Sequence, residues 1–305
     1  MLVLGPLVQM RDHSITTRDG ASIEARSYRP ADAPADEPLP VYLYFHGGGF
    51  LTGTLASEDA ACAATALRGH VAVLNVNYRH TPEHAFPTAW FDSQDAFEWL
   101  HDNMAAVGGD PLRVVVGGVS AGAQLTAALV LGQHLGRVAA SRPRIAGQVL
   151  VIPLLVHPDH YGPQAAQLSD VALSSYVENH DAPMLPVSVI RLFVDLLRIG
   201  EIHDGDLLAN PGNATPADVR GLPPTVFGVA GLDPLRDEGL LFAKKLAEAG
   251  VATDVTLFRG VPHAFRGFGD ELSASKHWDD VVGNGIAWAL SKPAPTGVFE
   301  IKEKR

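Results

Sequence analysis

The apolar residues of this chain fall into short runs that are separated by helix-like stretches. Six continuous apolar runs are predicted strands, because strands that are buried on both faces of a sheet lose the alternation of polar and apolar residues. These runs are VYLYFH, VAVLNVNYR, RVVVGG, IAGQVLVIPLL, PTVFGVAG and TDVTLFRG, at residues 41–46, 71–79, 113–118, 145–155, 224–231 and 253–260. Between them, apolar residues recur at helical spacing, as in AWFDSQDAFEWLHDNM. We therefore predict an α/β protein with a mostly parallel sheet flanked by helices.

The two ends of the chain differ from this alternating part. Residues 13–30, HSITTRDGASIEARSYRP, are predicted to form a hairpin with RDG at the turn, which adds antiparallel strands at one edge of the sheet. The short apolar patch before it, MLVLGPLVQ, lacks the basic start and the cleavage site of a signal peptide. The polar tail at 292–305, KPAPTGVFEIKEKR, is expected to fray.

One long segment interrupts the alternation of strands and helices. Residues 157–221 lie between two predicted strands, and they are far too many for a loop in an α/β unit, which usually takes about 2–6 residues. They contain the helix-like piece VSVIRLFVDLLRIG and loops rich in His, Asp and Pro. We predict that 157–221 is a cap inserted into a single domain that spans 1–305.

The composition of the chain argues against several classes of protein. The net charge of −11 argues against a nucleic-acid partner. The single cysteine, Cys62, excludes a disulfide within the chain. No apolar run reaches the roughly 18 residues of a membrane span. We expect a cytoplasmic protein, and a homodimer is compatible with the sequence.

Ser120 is the first candidate for chemistry. It stands in GVSAG at 118–122, which fits G-x-S-x-G between a predicted strand and a predicted helix. This context places a serine hydroxyl at the apex of a sharp turn, where it can act as a nucleophile. A dinucleotide-binding loop would need G-x-G-x-x-G, and a phosphate-binding loop would need a lysine after its last glycine, where the chain has Ala123. A structural turn is the remaining alternative.

A run of three glycines follows the first buried strand, in HGGGF at 46–50. Consecutive glycines cost backbone entropy, and they allow main-chain N–H groups to approach a ligand without interference from side chains. Gly47 or Gly48, together with Ala121, are the predicted oxyanion donors, because such a loop pairs with the N–H of the residue after the nucleophile. A flexible turn without function is the alternative.

The base and the orienting acid must come from other strand ends. His263 follows the sixth predicted strand and Asp233 follows the fifth, so both lie at the edge of the sheet that carries Ser120. The acid and then the histidine follow the serine in the order that such hydrolases use. Asp237 and Glu238 are alternative acids, although their place in the first turn of a helix already suits the helix dipole.

Five stretches of the chain, in order, resemble the hormone-sensitive-lipase-like esterases. These are the family IV carboxylesterases, which have the α/β-hydrolase fold. They are HGGGF, NYRHTPEHAFP, GVSAG, GLPPTVFGVAGLDPLRDEG and HAF, at 46–50, 77–87, 118–122, 221–239 and 263–265. The resemblance implies hydrolysis of small-molecule carboxylic esters with small or medium acyl chains, without metal or cofactor. It also implies the roles given above for the serine, histidine, aspartate and oxyanion donors.

Two departures from the family pattern concern the part of the site that binds the substrate. The residue before the nucleophile is commonly Asp or Thr in the family, whereas this chain has Val119, which we expect to contribute packing and not polarity. Few residues precede the hairpin, so we predict a reduced cap and a more open acyl pocket. Phe50, Val119 and His157 are candidates for binding the substrate. An amidase or formamidase, or a non-catalytic ligand receptor on the same scaffold, are the alternatives to an esterase.

Overall fold

A computed structural model describes residues 7–304, and the strands of this part form one sheet in the order β1-β2-β4-β3-β5-β6-β7-β8-β9. The strands are β1 (Val8–Thr16), β2 (Ser22–Pro30), β3 (Leu39–Phe45), β4 (Ala72–Asn77), β5 (Gly109–Val119), β6 (Gly147–Val151), β7 (Thr225–Leu232), β8 (Thr253–Pro262) and β9 (Lys302–Lys304). From β4 to β9 all neighbours are parallel, while β2 is antiparallel to β1 and β4. The predicted sheet and its edge hairpin are confirmed.

Helices of very different length connect these strands. They are α1 (Leu55–Gly69), α2 (Thr88–Asp102), α3 (Met104–Val107), α4 (Ala121–His134), α5 (Gly162–Ala165), α6 (Ser175–Glu178), α7 (Val187–Leu197), α8 (Pro216–Val219), α9 (Arg236–Glu248) and α10 (Ser273–Leu290). Short 3₁₀ turns lie at Pro158–His160, Val171–Leu173, Pro211–Asn213 and Phe265–Glu271. None of the helices within residues 7–304 is long and apolar enough to cross a membrane.

The two faces of the sheet carry separate hydrophobic cores. One core receives Trp90 and Phe97 from α2, most of α4, and Phe242 from α9. The other receives Cys62 from α1 and Trp278 from α10. Because helices cover both faces, the central strands are buried almost throughout, which explains their continuous apolar sequence.

Residues 157–221, which we predicted to be a cap, leave the sheet after β6 and return before β7 with four short or medium helices, α5 to α8. Helix α7 buries Ile190, Val194 and Leu197, while the side chain of Leu192 is 51% exposed. The segment is tied to the rest of the chain by hydrogen bonds such as that from the Phe86 N–H to the Leu197 carbonyl, at 2.9 Å. Ile190 and Val194 of this helix line a cavity together with Ser120, at the carboxyl end of β5.

The ends of the chain correct the sequence prediction. The tail was expected to fray, yet Lys302–Lys304 forms β9. This strand pairs in parallel with β8, where Thr256 lies opposite Lys302. Two largely exposed ion pairs join the strand to β8, with Lys302 Nζ 2.8 Å from Asp254 and Arg259 Nη1 2.9 Å from Glu303. At the N-terminal end, most of the predicted apolar patch lies outside the described residues. Residues 1 and 305 of the predicted 1–305 domain lie outside them as well.

Candidate active site

The turn that carries Ser120 joins β5 to α4 with strained geometry. Ser120 has φ 55° and ψ −115°, a conformation that residues with a side chain rarely adopt. The flanking glycines are required by close backbone approach: a Cβ on Gly118 would lie 2.3 Å from the Gly122 carbonyl oxygen, and a Cβ on Gly122 would lie 2.0 Å from the Phe45 carbonyl oxygen. Helix α4 thus packs directly against the strand ends, and Ser120 stands at its N-terminus.

Three side chains meet at this turn. His263, just after β8, places Nε2 at 2.9 Å from Ser120 Oγ, and its Nδ1 lies 2.7 Å from Asp233 Oδ2. Because the carboxylate can only accept, Nδ1 carries the proton and Nε2 is left to accept from the serine hydroxyl. The structure therefore brings together the three residues that the sequence suggested as nucleophile, base and acid.

The burial of this group explains how it is held in place. Ser120 is 9% exposed, His263 is 6% exposed and Asp233 is 1% exposed. The second carboxylate oxygen of Asp233 accepts the Leu235 N–H at 2.9 Å, so both oxygens have donors. A fully hydrogen-bonded buried carboxylate has one preferred orientation, and it fixes the ring of His263 in turn.

The alternative acids, Asp237 and Glu238, have other partners. Asp237 accepts the Ser175 N–H at 2.7 Å. Glu238 accepts the N–H groups of Leu155 and Val156 at 2.7 and 3.1 Å. The hydroxyl of Tyr176 also donates to Glu238, at 2.9 Å. Burial raises the pKa of Glu238 to about 8, although these hydrogen bonds act in the opposite direction. Both carboxyls thus link α9 to residues 157–221 or to the loop after β6.

The glycine loop after β3 lies beside Ser120. A Cβ on Gly47 would be 3.6 Å from Ser120 Cβ, which shows how closely this backbone approaches the nucleophile. Gly48 and Gly49 have φ values of 121° and 62°, in the region that favours glycine. Within residues 7–304, the N–H groups of Gly47, Gly48 and Ala121 donate to no carbonyl group. These donors are free to bind an oxyanion.

Two cavities open onto Ser120. The larger has a volume of about 650 Å³, and its lining includes His263, Gly47 and Gly48. The smaller has a volume of about 20 Å³, and its wall is almost entirely apolar. The residues lining the smaller cavity are Gly49, Phe50, Ser120, Ala121, Leu154, Leu185, Ile190, Phe193, Val194 and Leu235.

The three residues predicted to bind substrate lie in different places. Phe50 is 1% exposed, stacks on Trp90 and reaches only the smaller cavity. Val119 is half-buried, packs against the core on the α1 and α10 face, and also lines the larger cavity. His157, the third candidate, lines neither of these two cavities. Its Nδ1 accepts the Asp159 N–H at 3.3 Å, which caps a 3₁₀ turn.

Sequence reasoning missed other residues at the site. Phe193 and Leu185, both from 157–221, line both cavities. Glu58, from the first turn of α1, lines the larger one. No motif marks these residues, since each reaches the site through tertiary packing alone. Among residues 7–304 there is no group of three or more His, Cys, Asp or Glu that could hold a metal ion.

Comparison with known proteins places this geometry in a family. The Abhydrolase_3 family model, described as an alpha/beta hydrolase fold, matches residues 42–267. The chain is 33% identical over 286 residues to the carboxylesterase NlhH of Mycobacterium tuberculosis, covering 92% of this chain and 82% of the relative. It is 36% identical over 256 residues to the esterase LipI of the same organism, covering 83% and 74%. A solved esterase of Pyrobaculum calidifontis has a TM-score of 0.78 at 31% identity, covering 93% and 86%.

Proposed function

Because the chain belongs to the Abhydrolase_3 family of α/β-hydrolases and is an ester-hydrolysing enzyme, we propose that Ser120, His263 and Asp233 carry out the reaction on esters with a short acyl chain. The observation that carries the proposal is the pair of hydrogen bonds from Ser120 to His263 and from His263 to Asp233, beside a loop with free N–H groups. The named esterases among the relatives favour an enzyme that hydrolyses esters over the receptor and amidase alternatives.

The first half of the reaction forms an acyl-enzyme. His263 Nε2 takes the hydroxyl proton while Ser120 Oγ attacks the ester carbonyl carbon, and the carbonyl oxygen becomes an oxyanion. The N–H groups of Ala121 and of Gly47 or Gly48 stabilise this oxygen. When the intermediate collapses, the bond between the carbonyl carbon and the alcohol oxygen breaks, and His263 donates its proton to the departing alcohol.

The second half regenerates the enzyme. His263 accepts a proton from water as the water oxygen attacks the acyl carbon, and the same N–H groups stabilise the second oxyanion. The bond to Ser120 Oγ then breaks, the acid leaves, and the proton returns to the serine. Asp233 holds the imidazole in the required tautomer throughout and stabilises its charged form.

The position of His263 supports an assignment of the two cavities to the two parts of the ester. The departing alcohol oxygen must come within hydrogen-bond reach of His263 Nε2, so the alcohol occupies the larger cavity, which His263 lines. The acyl chain is left with the smaller apolar cavity beside Ala121. A volume of about 20 Å³ is close to the minimum that holds a single water, so an acetyl methyl fits with little rearrangement. In this assignment, the open pocket that we expected for the acyl chain is the pocket for the alcohol.

Replacement of the nucleophile tests the proposal. We expect Ser120→Ala to reduce hydrolysis of 4-nitrophenyl acetate by at least about 1,000-fold, because the hydroxyl is the attacking group. Ser141→Ala, which changes an exposed serine, is the matched control and should retain activity. Both variants should keep the melting temperature of the parent protein. Undiminished turnover by folded Ser120→Ala would contradict the proposal.

A further inference from the structure

The larger cavity has a carboxyl group in its wall that the reaction above does not use. Glu58 lies in the first turn of α1, half-buried, and lines the same cavity as Ser120 and His263. A carboxyl group withdrawn from water normally has a cation or several donors to compensate for lost hydration. We therefore considered what surrounds Glu58.

The hydrogen bonds of Glu58 leave one oxygen poorly satisfied. Tyr44 donates its hydroxyl to Glu58 Oε2 at 2.8 Å. Ser57 Oγ lies 3.2 Å from Glu58 Oε1, but it lies closer, at 2.9 Å, to the Thr54 carbonyl oxygen. A serine hydroxyl has a single hydrogen, so the shorter contact takes it. Glu58, which lines the cavity, thus has in Oε1 an acceptor without a firm donor.

The charges around the cavity do not compensate for Glu58 either. Arg266 also lines the cavity, but its guanidinium makes two hydrogen bonds to Asp279, at 2.7 and 3.0 Å, and is neutralised by it. Both groups that hydrogen-bond to the Glu58 carboxyl within the described residues are neutral hydroxyls. Burial accordingly raises the pKa of Glu58, and the hydrogen bonds from Tyr44 and Ser57 act in the opposite direction.

We propose that Glu58 binds a protonated amine in the alcohol portion of the substrate, so that esters of amino alcohols are preferred over uncharged esters of the same shape. A protonated amine supplies both features that Glu58 lacks, a positive charge and a hydrogen for Oε1. The aromatic side chains of Tyr44 and Trp278 also line this cavity and suit the carbon atoms around such an amine. The inference rests on the proposed assignment of the larger cavity to the alcohol.

A pair of matched esters tests the inference. In 2-(dimethylamino)ethyl acetate and 3-methylbutyl acetate, a protonated nitrogen in the first replaces a CH group in the second. The quantity to measure is the ratio of the two kcat/KM values at about pH 7, where the amine is protonated. We expect Glu58→Gln to lower this ratio by about tenfold, the effect of losing one hydrogen bond between charged groups. Glutamine keeps an acceptor for the Tyr44 hydroxyl, so the wall of the cavity is retained.

Two further variants separate the local charge from other effects. Glu24→Gln removes the same charge from an exposed position on β2 and should leave the ratio unchanged. Glu58→Asp keeps the charge and should keep a preference for the amino ester. A Glu58→Gln ratio equal to that of the parent protein would overturn the inference while leaving the proposed function intact.

If the parent protein hydrolyses neither these esters nor 4-nitrophenyl acetate, the proposed function fails and binding decides the inference. Calorimetric titration of the full chain with 2-(dimethylamino)ethanol should then show about tenfold weaker binding for Glu58→Gln than for Glu24→Gln. Equal binding by the two variants would overturn the inference.

Discussion

Phe193 lines both cavities at Ser120, and its removal should change which acyl chains the enzyme accepts. A Cβ on Gly49 would lie 2.3 Å from Phe193 Cδ2, so the ring is in direct contact with the glycine loop. Since Phe193 lines both the smaller and the larger cavity, its ring forms part of the wall between them. Phe193→Ala therefore enlarges the space available to the acyl chain without touching Ser120 or His263.

The size of the effect follows from the apolar area that a longer chain can bury. Octanoate has four more methylene groups than butyrate, and each buried methylene contributes about 0.8 kcal/mol, so full burial gives about 3 kcal/mol, or roughly 200-fold. Phe193 is half-buried, which means that the new space remains partly open to water. We expect the octanoate-to-butyrate ratio of kcat/KM to rise about tenfold in Phe193→Ala.

The assay compares initial rates with the 4-nitrophenyl esters of acetate, butyrate and octanoate. The ratio is insensitive to any loss of folded protein, because both rates come from the same preparation. Leu192→Ala is the control, since it shortens a side chain that is 51% exposed on the same helix, and its ratio should equal that of the parent protein. A Phe193→Ala ratio that does not change would refute the assignment of the smaller cavity to the acyl chain.

Two further predictions concern stability. Gly122→Ala should lower the melting temperature and the yield of folded protein, because the new Cβ would lie 2.0 Å from the Phe45 carbonyl oxygen. Thermal unfolding measures the effect, and a melting temperature equal to that of the parent protein would contradict this prediction. The folded-state pKa of Glu238, about 8, lies above its ordinary value of 4.5, so its contribution to stability is present below about pH 4.5 and is lost as the pH rises through about 8. Between these values, the melting temperature of Glu238→Gln should fall less with pH than that of the parent protein, and parallel curves would count against this reasoning.

The parts of the molecule that could be predicted from sequence have short-range signals. The central strands were recognisable because both of their faces are buried, which removes polar residues from them. The meeting of Ser120 with His263 and Asp233 could be expected because each residue follows the carboxyl end of a parallel strand. Topology alone brings such ends to one edge of the sheet.

The parts that escaped prediction depend on long-range packing. Phe193 reaches the glycine loop only because 157–221 folds back over the sheet edge, and no local pattern in VSVIRLFVDLLRIG reports that contact. His157 stands beside plausible site residues in the chain but has its own local partner in Asp159. Strand β9 is short, charged and has a polar sequence, and its ion pairs with Asp254 and Arg259 cannot be read from composition.

Strand β9 also protects the edge of the sheet from pairing with other copies of the molecule. An uncovered β8 would offer the main-chain groups of Thr256, Leu257 and Phe258 as a template for a strand from another molecule. The Lys-Glu-Lys sequence of β9 occupies that template, and all three of its residues are exposed. An incoming copy thus meets a short, charged strand in place of the apolar β8, which disfavours edge-to-edge growth of the sheet into a fibre.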